Sequence, residues 1–331
     1  MTNVDDADTT HLRRLMVPVL VDVHGTAWAT AVFDVTLRHR DHVLVAEAPP
    51  HGLSMDVEKT VRATAAGLAQ GSGAGPLTVH FLADPRTGEV RFQKKEAGLP
   101  AESTLAETLT GLDLASLQHH LAHGGSLSGE PPEPRGHAFQ ICLSARDPEA
   151  GFAPRPGLVE VLRLAAGPGL CAEAAVEEGT APAEADPLLV RLTAGARNRT
   201  EALARLQNGL ARTTVVLRGG ATDKAFLTEI LDRPEISHAG AEAGWVDRLV
   251  ERGEHLSPRG LRGALVAAAL AAYDAELDQA KAGFYGAAQR GRPEVSKEVG
   301  RTLELRLRGH LYAFRVHRLD PALYRLDVDG T

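Results

Sequence analysis

The chain is poor in cysteine, and it has no apolar run of membrane-spanning length. Two cysteines among 331 residues are too few for a disulfide-built scaffold and favour a reducing compartment. The longest apolar run, Ala264 to Ala272, is too short to cross a bilayer. The first ten residues, MTNVDDADTT, are polar and acidic, which is not typical of a signal or transit peptide. The sequence therefore predicts a cytoplasmic protein that does not span a membrane.

The chain also lacks an excess of positive charge. It carries 36 Lys and Arg against 43 Asp and Glu, for a formal net charge of -7. Nucleic acids and anionic membranes select basic surfaces, so neither is expected as the main partner. With 44% hydrophobic and 24% charged residues the composition is that of a globular protein, long enough for two domains or one elongated unit.

Apolar periodicity and turn residues predict a mixture of hairpins and helices. Valine-rich runs predict strands, an Ala/Leu-rich stretch predicts a long helix, and alternating apolar and charged residues predict a final three-stranded antiparallel meander. The predicted strands are 16–23, 28–35, 37–48, 78–83 and 89–95, and the predicted helices are 54–70, 113–122, 200–211 and 261–282.

Three stretches share a pattern with a known family. The stretch from Val90 to Leu114 fits F-x-F-x-E-M-N-x-R-x-Q-V-E-H-x-V-T-E-x-x-T-G-x-D-L at Phe92, Leu99, Glu102, Glu107, Thr110, Gly111, Asp113 and Leu114. Residues 136–157, GHAFQICLSARDPEAGFAPRPG, fit G-H-A-x-E-C-R-I-N-A-E-D-P-x-x-x-F-x-P-x-x-G. Residues 219–240 carry a further match. In these motifs the sequence resembles the biotin carboxylases, ATP-grasp enzymes that carboxylate biotin inside acyl-CoA carboxylases.

The resemblance implies an α+β fold. It would comprise the C-terminal half of a biotin-carboxylase-like ATP-grasp unit with antiparallel sheets, followed by a helix and a three-stranded antiparallel meander. Nothing in the sequence resembles the family's N-terminal domain, its glycine-rich ATP lid or a Met-Lys-Met biotinylation motif. The helix and meander are similar to a region of fused actinobacterial-type carboxylases. The expected divisions are a disordered tail (1–12), a partial ATP-grasp C-lobe (13–125), a biotin carboxylase C-terminal-like domain (126–250) and the extension (251–331).

The residues that carry the family's chemistry are mostly replaced. The two magnesium-binding carboxylates align with His80 and Lys94, and two catalytic arginines align with Gly98 and Cys142. Glu102 keeps its residue type, at the position of the general base that deprotonates bicarbonate. Because an ammonium group repels a dication and a neutral imidazole supplies no negative charge, the resemblance implies that this chain alone does not carboxylate biotin with ATP. No metal and no cofactor are predicted.

Each of these candidate positions has a structural alternative to a catalytic role. Glu102 is either a retained base or a residue that caps local amides. Lys94 either binds a phosphate or forms a Schiff base, or else pairs with Glu96, Glu102 or Glu107. Cys142 is either a nucleophile or a small buried hydrophobic residue.

Histidines leave similar alternatives open. His80 could bind a metal ion or lie satisfied in the core. His119 and His123 have the i, i+4 spacing of a zinc pair, but no third ligand is apparent, and histidines at a helix end also complement the dipole.

Three functions follow from this pattern. The first is a non-catalytic accessory protein that forms a homodimer or joins acyl-CoA carboxylase subunits, since the matched half carries much of the dimer contact in this family. The alternative is an enzyme of specialised metabolism with a rebuilt cleft around Glu102, Lys94, His80 and Cys142. A split carboxylase whose other half is a separate chain is a third, which the lost metal ligands disfavour. The sequence identifies neither a substrate nor a particular partner.

Overall fold

The computed structural model describes residues 12–40, 42–239, 241–256, 260–289, 291, 301–308 and 310–330. The chain divides into two compact units, Met1–Ser257 and Pro258–Thr331. The expected disordered tail at 1–12 lies outside the described residues except for Leu12. No helix in the described parts is long and apolar enough to cross a membrane.

The first unit contains thirteen strands and six α-helices among its described residues. The strands are β1 Arg13–Val21, β2 Ala27–Ala29, β3 Phe33–His39, β4 His42–Ala48, β5 Gly75–Ala83, β6 Val90–Ala97, β7 His137–Ser144, β8 Arg146–Asp147, β9 Ala153–Pro154, β10 Leu158–Arg163, β11 Leu170–Ala174, β12 Leu188–Ala196 and β13 Thr214–Arg218. The helices are α1 Met55–Ala69, α2 Thr104–Thr110, α3 Leu114–Ala122, α4 Arg199–Arg212, α5 Lys224–Leu231 and α6 Trp245–Glu251.

One large antiparallel sheet organises this unit. Its strands follow the order β11-β12-β7-β4-β3-β1-β5-β6, with β2 on β1. The pair of β4 with β7 joins the segments that the sequence assigned to separate domains, from Val45 against Ile141 to Ala48 against Ala138. The sheet is thus continuous across residue 125, and the expected boundaries at 125 and 250 remain predictions.

Apolar residues cover both faces of the sheet. One core cluster lies under α4 and α5 and includes Phe139, Leu206 and Phe226. The other two pack α2 with α3 and pack α1 against the sheet. The elements that carry polar candidates are therefore held by buried apolar packing, which is the largest favourable term in folding.

Local signals set several helix boundaries as expected. The Ser54 side chain accepts a hydrogen bond from the backbone N–H of Val57 and caps α1. Asp113 accepts from Ser116 N–H and caps α3 in the same manner. Such caps satisfy backbone donors that have no partner within the helix.

The prediction of one extended stretch over 37–48 is wrong. The chain folds there into two strands, β3 and β4, that pair with each other as a hairpin, with His39 opposite His42. Arg40 takes a left-handed φ of 53° at the turn. Glycine and asparagine are the usual signals for such a turn, so an arginine there left no pattern to predict it from.

The second unit has the predicted composition of one helix and a meander. Helix α7 spans Leu261–Ala288, and the strands are β14 Arg301–Leu307, β15 His310–Asp320 and β16 Leu323–Gly330. Their order is β14-β15-β16, and Leu265, Ala269 and Phe314 belong to their shared core. The helix ends at Ala288, beyond the predicted Ala282. Together the two units confirm the α+β class with antiparallel sheets.

Candidate functional site

Strand β7 holds the loop that carries Glu102. The buried amide of Gln140 donates a hydrogen bond to the carbonyl of Ala101 at 3.1 Å. Its own carbonyl accepts from the Thr193 hydroxyl at 3.2 Å, which ties the loop to β12 as well. Glu102 follows immediately, just before α2, and is 7% exposed. Its position is therefore set by two strands of the sheet, β7 directly and β12 through Gln140.

Burial makes Glu102 harder to ionise than an ordinary glutamate. Removal from water raises the pKa of its carboxyl, while its own backbone amide and the charges of Arg191 and Arg38 oppose that rise. Among the described contacts no amide of α2 donates a hydrogen bond to this carboxylate, whereas its own backbone amide does. A buried carboxyl whose pKa is raised by burial, against the opposing charges of two arginines, is a candidate for exchanging a proton.

Cys142 lies in β7 and is also buried. Burial raises the pKa of its thiol to about 11, and the nearby Glu102 charge adds to the rise. The thiol is therefore protonated at neutral pH, whereas nucleophilic cysteines need a thiolate. This environment suits the structural alternative for Cys142.

Arg191 was not anticipated from the sequence. It lies on β12 directly opposite Cys142, and its Nη1 donates to the Glu173 carboxylate at 3.0 Å. Its Nε is buried and has no hydrogen-bond partner among the described residues. A guanidinium thus stands beside the position where the family's arginine is replaced by cysteine. The strand register that brings it there is not legible in the sequence.

His80 and Lys94 lie on neighbouring strands, and both contact Glu96. The sequence offered Glu96 as one of three possible partners of Lys94. His80 and Lys94 are opposite each other on β5 and β6. Glu96 accepts from Lys94 Nζ at 2.5 Å and contacts His80 Nε2 at 3.1 Å. The hydrogen bond from Lys94 is the main cause that lowers the pKa of Glu96, and burial lowers the pKa of His80.

This exposed group does not fit Mg²⁺. The ion needs several oxygen ligands in an octahedral arrangement. Here one carboxylate is already neutralised by an ammonium group, and the third member is an imidazole. Within the described residues no three His, Cys, Asp or Glu side chains are grouped so as to hold a metal ion.

The sequence candidates therefore fall into two groups, one buried and one exposed. Glu102 and Cys142 lie together in the interior, while Lys94 and His80 share Glu96 near the surface. Arg38 links them electrostatically, because its charge lowers the pKa of both Glu102 and His80.

His119 and His123 do contact each other, with ring centroids 4.2 Å apart at the end of α3. The His123 ring nitrogen Nδ1 lies 2.9 Å from the His119 carbonyl oxygen, a hydrogen bond at the helix end. This contact fits the helix-end role, which the sequence analysis left open as the alternative to a zinc pair.

Two family descriptions match the first unit. Residues 9–130 match the ATP binding domain of the carbamoyl-phosphate synthase L chain, and residues 140–248 match the biotin carboxylase C-terminal domain. Both matched ranges end before α7 begins, so the kinship of the helix and meander stays a prediction.

Curated relatives are carboxylases or their subunits. The chain is 32% identical over 245 residues to pyruvate carboxylase 1 of Caenorhabditis elegans, covering 71% of this chain and 20% of that protein. It is 28% identical over 240 residues to the biotin carboxylase of Haemophilus influenzae, covering 71% of this chain and 52% of that protein. The chain thus spans about half or less of the length of these relatives.

Solved structures agree with the fold. A structure of pyruvate carboxylase from Rhizobium etli superposes with a TM-score of 0.69 at 28% identity, covering 76% of this chain and 26% of that one. The biotin carboxylase subunit of a pyruvate carboxylase gives the same TM-score at 22% identity, covering 73% of this chain and 54% of that one. Through the domains at residues 9–130 and 140–248, the chain belongs to the biotin carboxylase family.

Proposed function

We propose that this chain is an accessory subunit of an acyl-CoA carboxylase and does not itself carboxylate biotin with ATP. The observation that carries the proposal is the ion group of His80, Glu96 and Lys94. It occupies the two positions that the resemblance assigns to magnesium-binding carboxylates. An ammonium group there repels a second cation by about 4 kcal/mol at 4 Å and an effective dielectric of 20.

The second support is the loss of arginine at the substrate positions. Gly98 carries no side chain, and Cys142 is a buried, protonated thiol whose pKa is raised to about 11. Neither presents the planar donor fork that reads a carboxylate or a bicarbonate ion. A retained frame with this chemistry suits binding to other subunits better than catalysis.

The partners proposed are a second copy of the chain or acyl-CoA carboxylase subunits, in the cytoplasm. Relatives support the choice, because they include the alpha subunit of a methylcrotonoyl-CoA carboxylase and the alpha3 subunit of a biotin-dependent acyl-CoA carboxylase. Nucleic acid and membrane are not proposed as partners.

Purification of the tagged full chain from its native source tests the proposal. We expect carboxylase subunits to co-purify, identified by mass spectrometry, and the isolated chain to show no biotin-dependent ATP cleavage with Mg²⁺ and bicarbonate. Biotin-dependent ATP cleavage by the isolated chain would overturn the proposal. Glu102→Gln should leave co-purification unchanged, since Glu102 is buried inside one unit.

A second function is favoured by one observation, the raised pKa of buried Glu102, a rise that the charges of Arg38 and Arg191 oppose. On this alternative the cleft serves a different reaction, with Glu102 as a general base or acid. Glu102→Gln would then abolish a turnover found by substrate screening, while Lys95→Gln, which removes a surface charge from β6, would not.

A further inference from the structure

A pair of histidines at the end of α3 has no part in the proposed function. His119 and His123 are four residues apart, so both side chains lie on the same face of the helix. Both are exposed, and their ring centroids are 4.2 Å apart. On a helix this spacing lets two imidazoles bind one zinc ion. The structure therefore brings together two side chains that the sequence marked by their spacing alone.

One ring of the pair is already oriented. His123 Nδ1 lies 2.9 Å from the His119 carbonyl oxygen, and a carbonyl only accepts hydrogen bonds, so Nδ1 carries the proton. In the neutral ring the other nitrogen, Nε2, then has a free lone pair. Histidines that bind metals usually donate their second ring N–H to a carbonyl or a carboxylate in this way. The helix-end hydrogen bond thus leaves His123 able to bind a metal ion.

The His119 ring has no competing polar partner. Among the described residues its imidazole contacts the ring of His123 and makes no hydrogen bond or ion pair. His120, the third histidine of α3, is held differently. Its Nε2 lies 3.2 Å from the Ser126 carbonyl oxygen, and its ring packs so closely on Gly125 that a Cβ at that position would overlap it. These contacts separate His120 from the pair, although it is the next residue in the chain.

The local charge also suits a cation. From Leu114 through Gly129 the sequence has no Lys, Arg, Asp or Glu. His123 is the C-cap of α3, and the carboxyl end of a helix carries partial negative charge from its unpaired carbonyl groups. The group of His80, Glu96 and Lys94 differs in this respect, because the ammonium group of Lys94 repels a metal ion. No such ammonium or guanidinium group belongs to α3 or to the loop that follows it.

We propose that His119 and His123 bind a divalent transition-metal ion of the zinc class, with water at its remaining positions. Imidazole nitrogens suit zinc, copper and nickel, whereas magnesium and calcium select oxygen ligands. No third His, Cys, Asp or Glu side chain of the described residues joins the pair, so the site is open, unlike a structural zinc site with four protein ligands. The proposal is independent of the accessory role, because it uses neither the Glu102 loop nor the ion group at Glu96.

Isothermal titration calorimetry of the full-length chain with zinc chloride tests this site, and magnesium chloride supplies the control ion. His119→Gln and His123→Gln each remove one ligand and keep a polar side chain. His120→Gln is the matched control, since it removes an exposed histidine from the same turn of α3. All three positions are exposed, so the variants are expected to fold, and circular dichroism checks that they do.

We expect Zn²⁺ to bind at submillimolar concentration and Mg²⁺ not to bind. The dissociation constant for Zn²⁺ should rise at least about tenfold in His119→Gln and in His123→Gln, because loss of even the outer partner of a metal ligand costs that much, and it should stay within about twofold in His120→Gln. The proposal is overturned if Zn²⁺ does not bind, or if either ligand variant binds it as well as the unaltered chain. It is also overturned if His120→Gln weakens binding as much as the ligand variants do, or if Mg²⁺ binds as tightly as Zn²⁺.

Discussion

Two buried polar regions of the same sheet differ in how fully their hydrogen bonds are made. Around Glu47, Arg199 Nε donates at 2.7 Å and the His137 ring nitrogen Nε2 lies at 2.8 Å. The cavity beside this cluster has a volume of about 20 Å³. Around His42 and Arg146, by contrast, buried nitrogens have no hydrogen-bond partner in the described part of the chain, and a pocket of about 340 Å³ lies nearby.

The difference separates polar groups whose hydrogen bonds stabilise the fold from polar groups that lack such partners. Glu47 is buried, which opposes ionisation, but the hydrogen bonds from His137 and Arg199 outweigh burial and lower its pKa. It joins β4, β7 and α4 and leaves little space for a ligand. The second region has the opposite property, because buried nitrogens there have no hydrogen-bond partner among the described residues. Both regions are buried, so burial does not distinguish them. The number of polar atoms that have a hydrogen-bond partner does.

Breaking the satisfied cluster should have the largest effect on stability. In Glu47→Gln the Arg199 guanidinium keeps its charge but loses its carboxylate, and removing one partner of a buried ion pair costs about 3–5 kcal/mol. Chemical denaturation at pH 7 measures the free energy of unfolding. Glu201→Gln is the matched control, because Glu201 pairs with Arg205 on the same helix at 2.6 Å but is partly exposed.

The control should lose less than about 1 kcal/mol, as half-exposed pairs do. Since the pKa of Glu47 is lowered, its contribution is present above the ordinary glutamate pKa and is lost as pH falls through the folded value. The free energies of unfolding of Glu47→Gln and of the unaltered chain should therefore converge as the pH falls. Equal losses in Glu47→Gln and Glu201→Gln at pH 7 would contradict this comparison.

A smaller effect is expected at Asp223, a buried carboxyl with one satisfied oxygen. Oδ1 accepts from the Ser144 amide at 2.9 Å, and Oδ2 has no partner among the described residues. Burial raises the pKa of Asp223 from 3.8 to about 7. A raised carboxyl pKa stabilises the fold at low pH, and that stability is lost as pH rises from about 4 through about 7.

Asp223→Asn removes this titration while keeping an oxygen for Ser144. We expect its stability to change less between pH 4 and pH 8, and to exceed that of the unaltered chain at pH 8 by about 1–2 kcal/mol. The ionised carboxylate that it replaces is disfavoured by about 1.36 kcal/mol for each pKa unit, and the cost of an unpaired amide offsets part of that gain. Thermal melts between pH 4 and pH 8 measure the stability difference between Asp223→Asn and the unaltered chain. Asp186→Asn, at an exposed aspartate, should follow the unaltered chain, and identical pH profiles for Asp223→Asn and the unaltered chain would refute the assignment.

Features encoded over a few residues were predictable, and features that depend on strand register were not. The helix starts at Ser54 and Asp113 are marked by residues next to the helices, and the meander alternates within each strand, so the helix starts and the meander were predicted. Aligned motifs identified Glu102 and Cys142 in the same way. The hairpin at Arg40 was missed because no glycine marks it. Arg191 reaches Cys142 only through the pairing of β12 with β7, which no local pattern reports.

The pocket at the β3–β4 turn was missed for the same reason. Its lining comes from that turn, from β8 and from the loop around Gly151, so three separate segments must be folded before it exists. Single histidines and arginines in strands carry no signal by themselves. The pairing of Lys94 with Glu96 was one of three alternatives, and residues two apart on a strand share a face, which favoured it.

The exposed group of His80, Glu96 and Lys94 should matter least to stability. Lys94 and Glu96 are each about half exposed, with 53% and 52% of their side chains accessible. Ion pairs at such positions contribute about 0–1 kcal/mol, so Glu96→Gln should change the free energy of unfolding by less than about 1 kcal/mol.

The electrostatic effect of Glu96→Gln on His80 should be clearer than its effect on stability. Burial lowers the pKa of His80 and the Glu96 charge opposes this, so removing that charge should lower the pKa further, as read from the imidazole NMR titration. Glu89→Gln, which removes the partner of Arg91 on the same hairpin, should leave the His80 titration unchanged. If His80 titrated alike with and without Glu96, the three side chains would not act as one group, and the argument against a cation at this position would rest on Lys94 alone.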